Sequence, residues 1–180
     1  MIQCEELMRT PVQIKNLVDE WCRSLGYTIK DIATEQGNAP IEWALEINNG
    51  TYGVIVFTPK NLDMLRFQTQ INFSPEHRQK TGNMPNEESN SFVLQMTDRL
   101  ASYGCDWNFI HDQQNPKQMN TLSMMYFIVY DNVDKNIVLQ ILNKAFINQS
   151  QMVRAISITL NKGGSPQGTS VSSHNTSFYG

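Results

Sequence analysis

The sequence predicts an α+β protein: an antiparallel sheet of five or six strands with three helices packed on one face. Three observations carry that prediction. Asn49-Gly50 is a hairpin turn signal, because a two-residue type I′ loop needs positive φ at both positions. Leu65, Phe67, Thr69, Ile71 and Phe73 alternate with Arg66, Gln68, Gln70 and Asn72, the pattern of a strand with one dry and one wet face. Three further stretches carry apolar residues at helical spacing between helix start and stop residues.

The first helix opens at Thr10-Pro11, a hydroxyl at N-cap and a proline at N1. Ile14, Leu17, Val18, Trp21, Cys22 and Leu25 form its apolar side, and Gly26 stops it. Residues 27–33 supply a short strand or an extended leg, and residues 34–40 a loop. Three antiparallel strands then fill residues 41–73. A two-residue loop at Asn49-Gly50 sets Asn48 opposite Thr51, Ile47 opposite Tyr52, Leu45 opposite Val54 and Trp43 opposite Val56. Trp43, Leu45, Ile47, Tyr52, Val54 and Val56 thereby share the dry face, whereas Ile55 and Phe57 interrupt the wet one. Pro59-Lys60-Asn61 turns the chain into the third strand.

Residues 74–88 read as a loop with a small basic spot at His77, Arg78 and Lys80. A second helix follows from Asn86 to Tyr103, with Phe92, Val93, Met96, Leu100 and Tyr103 inward and Gly104 as its stop. Cys105–His111 and Asn120–Tyr130 are the next two strands. The end of the second is apolar on both faces, as in a strand that is central or covered by another subunit. Asp131 or Asn132 caps a third helix reaching about Asn148. In Gln151–Leu160, Ile156, Ile158 and Leu160 alternate with Ser157 and Thr159, which indicates a sixth strand; continuation of the third helix is the rival reading. Residues 1–160 are expected to form one α+β domain, and the Gly/Ser/Thr-rich residues 161–180 a flexible tail.

A net charge of −3 and a pI near 5.6, with scattered basic residues, argue against nucleic acid as a partner. With 18 Asn and 14 Gln, polarity rests on amides as much as on ions, unlike a hyperthermophile's ionic surface. Cys4, Cys22 and Cys105 are an odd number at wide spacing, which suits a reducing compartment. The first ten residues lack the basic start and apolar core of a signal peptide, and no apolar run is long enough for a membrane span. A cytoplasmic location is therefore expected.

No nucleophile elbow, phosphate-binding loop or dinucleotide fingerprint occurs, and His77, His111 and His174 have no metal-ligand spacing. Cys105 and His111 share a strand face, but six residues separate them by about 20 Å, which rules out a nucleophile–base pair. Neither an enzyme activity nor a cofactor nor a metal is expected. Met96, Met124 and Met125 read as core filler.

The order of helix, three strands, helix, two strands, helix over residues 10–150 resembles the type III secretion chaperone-like fold. It is also similar to uncharacterised prokaryotic, notably archaeal, proteins of that fold. The resemblance implies an acidic cytoplasmic homodimer without enzymatic activity, which binds an unfolded partner segment on its helix and sheet surfaces. Ile55 and Phe57, together with Met125, Phe127 and Val129, are the candidate partner-binding residues, since a contiguous exposed apolar patch marks a contact surface. The expected function is a protein-binding module, its partner another protein or a second copy. The alternative is a small-molecule carrier or enzyme with a pocket between sheet and helices, lined by Trp43, Tyr52, Trp107 and Tyr126.

Overall fold

In the computed structural model, which describes residues 9–32 and 40–161, the first helix starts where its capping residues dictate. The Thr10 hydroxyl accepts the Gln13 backbone N–H, and the Gln13 side chain accepts the Thr10 N–H, a closed capping box in front of α1 (Pro11–Ser24). Ile14, Val18 and Cys22 are its buried row, and Gly26, at φ +81°, turns the chain out of the helix. The remaining elements are β1 (Thr28–Ile32), β2 (Ile41–Asn48), β3 (Gly53–Pro59), β4 (Met64–Asn72), α2 (Pro75–Asn83), α3 (Asn86–Ser102), β5 (Asp106–His111), β6 (Met119–Val129) and α4 (Lys135–Leu160). A single 3-10 turn, Tyr130–Asn132, joins β6 to α4. The six strands form one antiparallel sheet in the order β1-β2-β3-β4-β6-β5. The α+β class is as expected, with four helices among the described residues in place of three.

Three local readings are corrected. The hairpin between β2 and β3 is not a two-residue loop. Asn48 pairs with Gly53 and Ile47 with Val54, so Asn49–Tyr52 is a four-residue loop. Gly50 has φ +91°, but Asn49 does not take the positive φ that a type I′ turn needs. Instead the Asn49 side-chain oxygen accepts the backbone N–H groups of Thr51, at 3.0 Å, and Tyr52, at 2.8 Å. The pairing slips by two residues from the expected register, and a slip of two leaves every side chain on its expected face.

Residues 74–88 are not all loop. Ser74 caps α2 by accepting the His77 N–H, with Pro75 at the first helical position. The helix has no apolar row to betray it, because the residues it buries are His77 and Thr81. The expected sixth strand at 151–160 is the last part of α4. Met152, Ala155, Ile156 and Leu160 are buried at helical spacing, and the alternation of Ile156, Ile158 and Leu160 is incidental to it. The additional strand is β1. The tail expected at residues 161–180 lies outside the described residues except for Asn161, and so do Cys4, His174 and, except for Pro40, the loop at 34–40.

The chain divides into two compact units, residues up to Gln68 with Tyr126–Ala145, and Thr69–Met125 with the residues from Phe146 onward. In the first unit, α1 packs on β1 and β2, tied by a Lys15–Asp31 ion pair. Trp43, Leu45, Ile47, Val54, Val56, Leu65 and Phe67 fill its core, each burial worth about 1.5–3 kcal/mol. Tyr27 donates its hydroxyl to Asn143 on α4. In the second unit, Phe92, Met96 and Leu100 of α3 meet Phe109 of β5, Leu122 and Met124 of β6, and Met152 and Ile156 of α4. Gln149 reaches from α4 to the Gln70 carbonyl at 3.1 Å, and the Met119 N–H donates to Thr81 Oγ1 at 3.1 Å. No helix among the described residues is long and apolar enough to cross a membrane.

Candidate functional site

The five residues expected to form one exposed patch do not do so. Ile55 and Phe57, 6% and 7% exposed, are buried. Their cross-strand partners give the reason: Ile55 lies between Glu46 and Gln68, and Phe57 between Ala44 and Arg66. Long polar side chains directly opposite an apolar one lay their stems over it and keep their heads in water. The wet face is therefore polar at its rim and dry beneath it. Met125 is half-buried. Phe127 and Val129, by contrast, are 59% and 43% exposed, while Tyr126 and Ile128 between them are buried.

Phe127 and Val129 owe their exposure to strand ends. The pairing of β5 with β6 begins at Asp106 opposite Met125, so among the described residues Phe127, Ile128 and Val129 have no β5 partner. On the other side the Tyr130 N–H donates to the Asp63 carbonyl at 2.9 Å. Antiparallel pairing carried back from that bond sets Arg66 opposite Phe127 and Met64 opposite Val129. Arg66 thus stands between Phe57 on β3 and Phe127 on β6. The strand end is held rigid. Tyr130 donates its hydroxyl to the buried Thr58 Oγ1 at 2.9 Å, and Arg9 donates to the Val133 carbonyl at 2.9 Å. Burial pushes the Tyr130 phenol up from its ordinary value, with the Thr58 bond acting weakly against that. The result is an apolar pair on a hydrogen-bonded strand end whose β5 side is open among the described residues.

Of the aromatics expected to line a pocket, Tyr52 is half-buried in the loop between β2 and β3. Trp43 and Tyr126 are core residues of the first unit, and Trp107 packs edge-on against Phe109 in the second. The second unit holds two clefts of its own. One, of about 280 Å³, lies between α2 and the 112–118 loop and is lined by Arg78, Gln79, Asn83, Asn115 and Gln118. Gly82 lets that loop approach, since a Cβ there would stand 2.8 Å from the Asn115 amide nitrogen. In the same loop, the backbone N–H groups of Gln114 and Asn115 hold the Asp112 carboxyl below its ordinary range. The other cleft, of about 300 Å³, runs between α3 and α4 and is lined by Gln95, Arg99, Gln151, Arg154 and Ile158 among others. The strand reading of residues 151–160 hid these side chains; helical spacing through Ile158 is the signal that finds them. Among the described residues, no three His, Cys, Asp or Glu side chains stand close enough to hold a metal ion. Cys22 is buried on α1, and burial, helped by Asp19, pushes its thiol up to about 12, so it carries no nucleophilic thiolate near neutrality.

Residues 14–156, most of the chain and nearly all of the described fold, match one family model, described as an uncharacterized conserved protein family, DUF2299. The chain belongs to DUF2299. Among curated proteins none matches the sequence. Among solved structures, the DUF2299 chain is similar to an uncharacterized protein from Methanothermobacter thermautotrophicus, with a TM-score of 0.69 at 16% identity. The match covers 79% of this chain and 96% of the archaeal one. That likeness shows a shared fold. YbjN from E. coli, described as a candidate transcription regulator, aligns over 83% of this chain and 90% of its own at 11% identity. Its TM-score of 0.43 makes it too loose a likeness to bear on the DUF2299 chain.

Proposed function

We propose that this DUF2299 chain is a non-enzymatic protein-binding module, chaperone- or adaptor-like, that pairs with a second copy of itself through the end of β6. The observation that carries the reading is the exposure of Phe127 and Val129 on a strand end that, among the described residues, has no partner on its β5 side. An open strand edge offers backbone hydrogen bonds, and apolar side chains beside it offer area to bury. Two identical edges meeting antiparallel satisfy each other across a two-fold axis, the commonest arrangement of soluble homo-oligomers. The resemblance of the order read from the sequence to secretion chaperones supports a binding role, and Cys22 as a buried free thiol supports a reducing, cytoplasmic setting.

Phe127→Glu tests the reading. Light scattering is expected to give a dimer mass for the parent protein and a monomer mass for the variant, with far-UV circular dichroism unchanged. A monomeric parent, or a variant of unaltered mass, would remove this edge from any self-association.

A further inference from the structure

A second surface, in the unit built from Thr69–Met125 and the residues from Phe146 onward, has a chemistry of its own. Along the exposed side of α4, Ile147, Gln151, Arg154 and Ile158 follow one another at spacings of four, three and four, the seam spacing of a helix that packs on another helix. Ile147 and Ile158 are 55% and 51% exposed, although both are apolar. Eleven residues separate them, about 16 Å along the axis. Gln151, Arg154 and Ile158 form one wall of the 300 Å³ cleft, and Gln95 and Arg99 of α3 form the other. No carboxylate lines it. Neither guanidinium has an ion-pair partner among the described residues, where the ion pairs are Lys15–Asp31, Arg23–Asp19 and Lys80–Glu76.

We propose that this groove docks an acidic amphipathic helix of another protein, with apolar anchors over Ile147 and Ile158 and carboxylates between them on Arg99 and Arg154. Charge complementarity selects that occupant. An arginine fork pairs bidentately with a carboxylate, and the flanking isoleucines ask for apolar area at the same helical spacing. A second copy of this chain is the wrong partner, since it would bring two more guanidinium groups to a site that already holds two. A nucleic acid is disfavoured as well. Its backbone calls for a continuous basic face, whereas this chain has a net charge of −3 and an apolar residue at each end of the row.

The test uses the full chain and a fluorescently labelled helical peptide with two leucines eleven positions apart and glutamates between them. Its control has lysine for each glutamate. Saturable, salt-weakened binding of the glutamate peptide, absent with the lysine peptide, is expected. Arg99→Glu and Arg154→Glu should each weaken it about tenfold, and the double variant should come to prefer the lysine peptide. Arg99→Gln and Arg154→Gln, shorter, polar and uncharged, should also lose affinity and, without a reversed charge in the cleft, guard against a folding defect. Phe127→Glu should leave the affinity unchanged. Equal binding of the two peptides, or indifference to both arginines, would overturn the proposal. Loss of a dimer on Arg154→Glu would assign the groove to a second copy instead, and displacement of the peptide by a single-stranded oligonucleotide of equal charge would assign it to nucleic acid.

Discussion

Thr10 and Cys22 stand on the same helix, and each makes a separate physical statement about it. The Thr10 hydroxyl satisfies one of the orphan N–H groups at the start of α1, so Thr10→Ala should cost about 1 kcal/mol of stability by urea unfolding. Cys22 acts through pH. Its thiol is pushed up to about 12 in the folded chain, against about 9 when unfolded. Its contribution is complete below pH 9. Above that the unfolded thiol releases its proton while the folded one keeps it, so stability falls as pH rises toward 12, by at most about 1.4 kcal/mol per unit. Tyr27, Tyr103 and Tyr130 are raised as well and act in the same direction. The informative quantity is therefore the difference between the parent and Cys22→Ala. The variant should start lower, from lost packing, and decline less steeply between pH 9 and 12.

At the scale of the element, the β2–β3 hairpin separates side-chain chemistry from backbone conformation. Asn49→Ala removes the acceptor of two backbone N–H groups and should cost about 1 kcal/mol. Gly50→Ala meets no neighbouring atom within 4 Å, so any loss comes from placing a Cβ at φ +91°, about 1–2 kcal/mol. Paired urea titrations of the two variants measure both. The hairpin also shows how a sequence reading can be right about faces and wrong about register. Alternation fixes which residues look inward, but the count of loop residues depends on what Asn49 does with its side chain. Similarly, α2 escaped the sequence because its buried positions, His77 and Thr81, are polar, and Thr81 finds its partner at Met119 in β6. Nothing local foretells that bond.

For the whole molecule, the proposed self-association has a signature that no single contact supplies. If the chain pairs through Phe127, its thermal midpoint should rise with protein concentration, because the paired state is favoured by mass action. Phe127→Glu should abolish that dependence, which differential scanning at two concentrations tests. The proposed groove between α3 and α4 should show no such link, since its lining residues include none of the β6 strand end. Of the candidate residues, Phe127 and Val129 were legible as misplaced apolar side chains. Ile55 and Phe57 looked equivalent in sequence and are not. Arg66 and Gln68 stand across from them on one side, and Glu46 and Ala44 on the other.

By itself the sequence determined what depends on neighbours along the chain: the α1 capping box, the alternation of β4, the apolar rows of α1 and α3, and hence the α+β class. These are set by short-range sterics and by the periods of helix and strand, which any reader of the residues can count. The tertiary structure alone decided which apolar residues stay wet, where α4 ends, and which cations lack a partner. Each of those depends on what arrives from far away in the chain, and a residue's own period carries no record of it.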